Sequence, residues 1–431
     1  MMRTIAVAVC AIASLAGCPG PHRPRGRAPD PSTLEIGRDA TSLRAVAGDG
    51  TTTFAAVTSG DASQIEARRG GSLVWATKLG GRSGTLALHA PLVFASLSGI
   101  GTLAEQPIRG EPGAMVVALD AATGTPRWKT AIESSEWATI SSLAGTADGV
   151  VVGGTFSGTL RVAASVVSSA GKSDGFIARL GATGQPMWLV RVGGLGADAV
   201  QGVDARDGRL AVTGTFAAGA ELAGIALPAF DERAPYADGF VAELDERTGG
   251  RVWAASFGGK LDDAVAGVAI DSAGRIAVAA NARETVHVGG VDLIAQGDAD
   301  GVVAWWTKDG TASHAVQIGG IGFDGLRAIT AVGERIVVAG FFSGSLRLGD
   351  RTLTAGGGDD AFIAALDAHG TIVESWQVGG AGREEVTSLG AVPGGFVAGI
   401  AHTAAASISG SALPSPKDPM IGAALVIRPV R

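Results

Sequence analysis

From residue 34 to the C-terminus, apolar residues fall in short runs rich in Val, Ile, Ala and Phe, each bounded by Gly or Asp. Runs this short and punctuated this way predict strands joined by tight turns. The stretch 200–263 shows one full unit. Residues 200–205 predict a first strand, Asp207-Gly208 a turn, and 209–216 a second strand. Residues 239–245 predict a third, Thr248-Gly249 another turn, and 251–257, containing Trp253, a fourth. Gly258-Gly259 and then carboxylates follow. Four antiparallel strands in succession make a propeller blade. Between second and third strands lies an insertion. In 343–359, SGSLRLGDRTLTAGGGD, it predicts a loop with a small hairpin.

The unit recurs. Its closing Gly-Gly has a second position at Gly81, Ser134, Gly194, Gly259, Gly320 and Gly380, in steps of 53, 60, 65, 61 and 60 residues. Six residues before each stand Trp75, Trp128, Trp188, Trp253, His314 and Glu374, with Trp376 two places later in the last unit. A second landmark precedes that position: Asp61-Ala62, Gly113-Ala114, Asp174-Gly175-Phe176, Asp238-Gly239-Phe240, Asp300-Gly301-Val302, Asp360-Ala361-Phe362 and Asp418-Pro419-Met420, seven in all. A period near 60 residues is too long for leucine-rich, ankyrin or tetratricopeptide repeats and slightly long for a usual propeller blade. The last unit predicts strands at 385–391, 396–402 and 420–428 and then ends, one strand short. Thr33-Leu34-Glu35-Ile36-Gly37 resembles the end of a Trp-led strand such as Ala76-Thr77-Lys78-Leu79-Gly80. The expectation is therefore an all-β chain. Residues 32–431 form a single seven-bladed β-propeller of four-stranded antiparallel blades, its N-terminal strand completing the last blade so that no raw sheet edge remains there.

The pattern Asp-Gly-Phe-Ile/Val-Ala-x-Leu, Gly turn, Trp, Gly-Gly resembles the bacterial SBBP repeat, a family of seven-bladed β-propellers. The resemblance spans essentially residues 34–431, with units three, four and six matching best. A local stretch, 118–128, ALDAATGTPRW, is similar to the tryptophan-docking motif of pyrroloquinoline-quinone-type propeller repeats. That similarity implies a structural role for Trp75, Trp128, Trp188 and Trp253. Each ring should pack on the next blade, its N–H meeting a carbonyl. It does not imply a quinone, and no cofactor is expected.

The first residues, MMRTIAVAVCAIASLAGC, give one basic residue, an apolar core too short to span a bilayer, and Leu15-Ala16-Gly17-Cys18. This resembles the bacterial lipoprotein signal, which implies removal of residues 1–17 and lipidation of Cys18. Acyl chains at Cys18 would anchor the protein to a membrane. Pro19 follows the Cys, and outer-membrane display, periplasmic or surface-exposed, is expected. Residues 18–31 carry five prolines with His22, Arg23, Arg25 and Arg27 and read as an extended tether. Cys10 lies in the removed segment, so an acylated Cys18 leaves no thiol for a disulfide. The mature chain holds 33 basic against 41 acidic residues, a net −8, which argues against a nucleic-acid partner.

Catalytic signatures are missing from the sequence. There is no P-loop and no Gly-x-Ser-x-Gly elbow, and His22, His89, His287, His314, His369 and His402 show no metal-ligand spacing. Residues 193–200, GGLGADAV, match the calcium-binding nonapeptide of RTX toxins, but that site needs consecutive copies. Glu136, Asp198, Asp263, Asp324 and Glu384 each begin an innermost strand and are the only metal candidates, as a carboxylate ring at one channel mouth. The competing expectation is that each caps its own turn, as Asp174, Asp238, Asp300 and Asp360 do at the second landmark. The long insertions 98–113, 157–173, 217–237, 283–299, 343–359 and 403–417 should emerge on one face. Variable loops on a rigid ring suit binding. The primary expectation is a monomeric, non-catalytic binding or scaffold module for a protein or glycan. The alternative is a propeller enzyme, a quinone-dependent dehydrogenase or a polysaccharide hydrolase or lyase, with its site on the loop face.

Overall fold

The computed structural model describes residues 32–35, 42–59, 62–98, 102–103, 106–107, 113–228, 237–259, 261, 263–413 and 422–429. Cys18, the tether, Ile36, Asp61 and the last landmark, 418–420, lie outside them. The described chain is an all-β propeller. Six blades are each built from four consecutive antiparallel strands. Blade one is Ser42–Gly48, Thr52–Ser59, Ala62–Arg69 and Ser72–Leu79. Blade two is Arg82–His89, Leu92–Ser98, Gly113–Asp120 and Pro126–Ser134. Blade three is Trp137–Thr146, Gly149–Ser157, Asp174–Gly181 and Pro186–Gly193. Blade four is Ala199–Arg206, Arg209–Phe216, Asp238–Asp245 and Arg251–Phe257, so two of its predicted strands have the expected bounds and the other two grow by one or two residues. Blade five is Ala264–Ile270, Ile276–Ala282, Asp300–Trp306 and Ala312–Ile318. Blade six is Gly325–Val332, Arg335–Phe342, Asp360–Leu366 and Ile372–Gly380.

A further sheet runs in the order Glu384–Val392, Gly395–His402, Gly422–Pro429 and Ser32–Glu35. The last two strands are antiparallel, with Leu34 opposite Leu425. This sheet stands between blade six and blade one. Its innermost strand touches those of both, and each blade's innermost strand likewise touches its neighbours'. Leu43, Val46, Ala55 and Val57 of blade one share a buried cluster with Val392 and Val397 of this sheet.

The hydrophobic pattern follows from that stacking. The third strands are covered on both faces by neighbouring blades, and Asp174–Gly181 and Asp360–Leu366 are buried at every position. After the opening Asp, Asp360–Leu366 accordingly reads as a continuous apolar run, and Asp174–Gly181 as one broken only by Arg179. The outermost strands, such as Arg251–Phe257, are half-exposed along most of their length. Aromatic pairs Phe156–Phe176, Phe216–Phe240 and Phe342–Phe362 lie at equivalent places, centroids 6.2, 6.2 and 6.4 Å apart.

The insertion predicted as a loop with a hairpin is one: Ser345–Leu348 pairs with Arg351–Thr354. Four other insertions do more. Thr159–Val162, from blade three, pairs with the outermost strand of blade two. Glu221–Leu222 pairs with the outermost strand of blade three, Thr102–Leu103 with that of blade one, and Ala406–Ile408 with that of blade six. In blade five, His287 and Gly258 exchange two backbone hydrogen bonds, joining that insertion to blade four. The insertions are therefore not simply free variable loops. An outermost strand exposes unpaired N–H and C=O groups, and a strand reaching back from the next blade satisfies them.

Candidate functional site

The insertions do emerge beside the interblade loops. Lys172 donates its N–H to Gly196 O, Asp198 to Ser173 O, Asp298 to Gly322 O, and Asp324 to Ala299 O. This shared face exposes apolar side chains at the loop tips. Leu195 is 84% and Ile321 91% exposed, and Trp137 and Phe323 are also open to solvent. On the hairpins, Val166, Ile225, Val291 and Ile294 are exposed too.

The carboxylates at the start of the innermost strands serve the loops below these tips. Asp198 accepts the Gly194 N–H at 2.8 Å and the Ala217 N–H at 2.7 Å. Asp324 repeats the geometry with Gly320 and Ser343, at 2.6 and 3.1 Å, and Asp263 accepts from Gly259 at 3.0 Å. All three are buried, and burial pushes Asp198 and Asp324 above the usual carboxylate range. Glu136 is exposed and accepts from the Ser157 hydroxyl. Asp198, Asp263 and Asp324 thus cap turns, and among the described residues no group of three or more His, Cys, Asp or Glu is placed to hold a metal. The second-landmark carboxylates are turn formers with a further tie. Asp174 accepts from the Ala170 N–H and from Arg191, 17 residues on; Asp300 pairs with Gln296 and Gln317, and Asp360 with Gly356 and Gln377, at the same offsets.

Glu384 departs from this pattern. Its longer side chain is buried beside the Asp360 carboxyl and the backbone of Gly380 and Gly382. Burial and then the neighbouring Asp360 carboxyl push its pKa up to about 7. Opposite it in the ladder is His402, also buried, with Nδ1 donating to Ala404 O at 2.8 Å.

The tryptophans pack across blade junctions on glycines of positive φ. A Cβ on Gly124, Gly184, Gly249 or Gly310 would lie 2.4 to 2.9 Å from the ring of Trp75, Trp128, Trp188 or Trp253 respectively. Their N–H partners vary. Trp75 donates to Ala121 O at 3.1 Å and Trp188 to Glu246 O at 2.9 Å. Trp253 instead donates to the Glu243 carboxylate of its own blade, and Trp128 Nε1 has no partner, so a carbonyl acceptor is not general. His314, at the same position in blade five, stacks on Trp305 at 4.4 Å, and burial lowers its pKa.

One repeated feature left no mark in the sequence. Every innermost strand carries a β-bulge near its loop-face end. The residues at or beside the bulge are Arg44, Thr85, Ser141, Gln201, Ala266, Arg327 and Thr387, and all line one axial cavity of about 310 Å³. Bulges re-aim side chains, and here they bring one residue per innermost strand to the axis. Because the residue types differ from blade to blade, no motif announces them. Other polar groups at this level clamp neighbouring blades: Ser142 accepts the Val203 N–H at 3.1 Å, and Asp204 accepts the Ile270 N–H at 2.7 Å. Burial lifts Asp204 to about 6.

No known protein family matches the sequence, and no curated protein does. Solved structures are similar only distantly. A europium-containing methanol dehydrogenase aligns at 12% identity over 92% of each chain, with a TM-score of 0.41. The WD40 domain of Toxoplasma gondii coronin aligns at 10% identity over 93% of this chain and 85% of its own, with a TM-score of 0.48. The fold is a β-propeller. Its similarity to quinone-type dehydrogenases and WD40 propellers is one of shape and assigns no family.

Proposed function

We propose that this propeller is a lipid-anchored envelope protein of the SBBP-repeat kind. In this reading it has seven blades, the last completed by Ser32–Glu35, and acts as a non-catalytic binding module for a protein or glycan on its loop face. The observation that carries the reading is the set of apolar tips on that face. Leu195 and Ile321 occupy the same position in the loops entering blades four and six, and both stand almost wholly in water. Solvent does not stabilise a Leu or Ile there, whereas a partner that covers it does. Apolar tips favour a protein partner over a glycan. Anchoring is proposed through Cys18, with residues 18–31 as the tether that lets the ring stand off the membrane.

The test is affinity capture from detergent-solubilised envelope with the intact chain and with Leu195→Asp/Ile321→Asp. Partners that bind the face are expected to be lost from the variant, with its thermal unfolding unchanged. An identical set of captured proteins rejects the face. Separately, Cys18→Ala is expected to shift the protein from the membrane to the soluble fraction; retention at the membrane rejects the anchor.

A further inference from the structure

We propose that the axial cavity is a binding site for a small oxyanion, a carboxylate or phosphate, held between Arg44 and Arg327. The two arginines stand on the innermost strands Ser42–Gly48 and Gly325–Val332. Both of those strands flank Glu384–Val392. The two arginines, both exposed, therefore line the cavity from either side of one strand, and that strand contributes Thr387 and Ser388 to the same lining. The hydroxyls of Thr387 and Ser388 are themselves buried against Gly399 of the next strand, behind the cavity wall, so the two arginines are the groups that would hold the ligand.

Arg327 is also held in place. Its guanidinium lies over the Phe341 ring, 5.0 Å from the centroid, and Phe341 in turn packs on Phe323 at 5.5 Å. An aromatic face positions a guanidinium without neutralising it. Neither arginine forms an ion pair with a described residue. Asp204, the carboxylate lining the cavity, sits on blade four and accepts the Ile270 N–H. A guanidinium offers a planar fork of donors that matches a carboxylate or phosphate edge. A volume of about 310 Å³ admits a small molecule and not a folded chain. This site is independent of the loop-face reading, since its residues lie inside the ring.

The test is titration calorimetry on the full, detergent-solubilised chain with malonate and with inorganic phosphate, at ionic strength fixed with sodium chloride. Saturable one-to-one binding of either anion is expected. Arg44→Gln and Arg327→Gln should each weaken it by about tenfold or more. Arg161→Gln and Arg347→Gln, on insertion hairpins away from the cavity, should leave it unchanged. Malonate alone binding specifies a carboxylate ligand, and phosphate alone specifies a phosphate. If an arginine variant fails to fold, Arg44→Lys and Arg327→Lys serve in its place, and loss of the planar fork should weaken binding severalfold. Two outcomes overturn the proposal: no saturable heat beyond the chloride control, or binding that persists in folded Arg44→Gln and Arg327→Gln.

Discussion

At the scale of single residues, the most informative group is Glu384. The folded chain holds its proton up to about pH 7, whereas an unfolded Glu releases it near its ordinary value of 4.5. The folded state thus binds more protons across that interval, and stability falls as pH rises from about 4.5 through about 7. Glu384→Gln removes the titration. Its unfolding midpoint is expected to exceed that of the wild type at pH 8 and to match it near pH 5; parallel pH profiles would refute the assignment. The docking tryptophans give a second test. Trp188→Ala should lower the unfolding free energy by about 3 kcal/mol in chemical denaturation. Gly249→Ala should also destabilise, because its φ is +73° and the new methyl would meet the Trp188 ring. That each Trp ring packs on the next blade followed from the resemblance to the docking motif; that it lands on a positive-φ glycine is seen only in the fold. Arg44 and Arg327 were not legible in the sequence, because a bulge is a property of strand pairing and imposes no residue type on the position it turns inward.

At the scale of elements, the returning hairpins matter most. Strands and turns were readable because each apolar run is short and ends in Gly or Asp. The partner of each hairpin was not, since a hairpin's own sequence sets its turn while a strand in the preceding blade sets where it lies. Leu160 and Val162, on Thr159–Val162, are completely buried and join the core between blades two and three. Leu160→Ala is expected to cost about 3 kcal/mol in denaturant unfolding, as much as a core position within a blade. A cost under about 0.5 kcal/mol, typical of surface positions, would show that the hairpin is merely draped over the blade. The carboxylates at the interblade loops were readable as either cation ligands or turn caps. At Asp198, Asp263 and Asp324 the side chains accept backbone N–H groups, whose positions become visible only in the folded loop.

At the scale of the whole molecule, the chain's two ends carry the prediction. Removing residues up to 31 should leave the unfolding midpoint unchanged, whereas removing residues up to 35 strips a strand from Gly422–Pro429. The longer truncation is expected to lower the midpoint and raise the tendency to aggregate, because the uncovered edge can pair with another molecule. Equal midpoints for the two truncations would reject closure by the N-terminal strand. The backward reach of the hairpins has a consequence for how such a ring can lengthen. A gene duplication with its breakpoints in the interblade loops would copy four strands together with the hairpin that grips the blade before it, and the newcomer would slot in ready-fastened. Breakpoints inside an insertion would sever hairpin from blade, so viable growth of the array should proceed only in whole, self-fastening units.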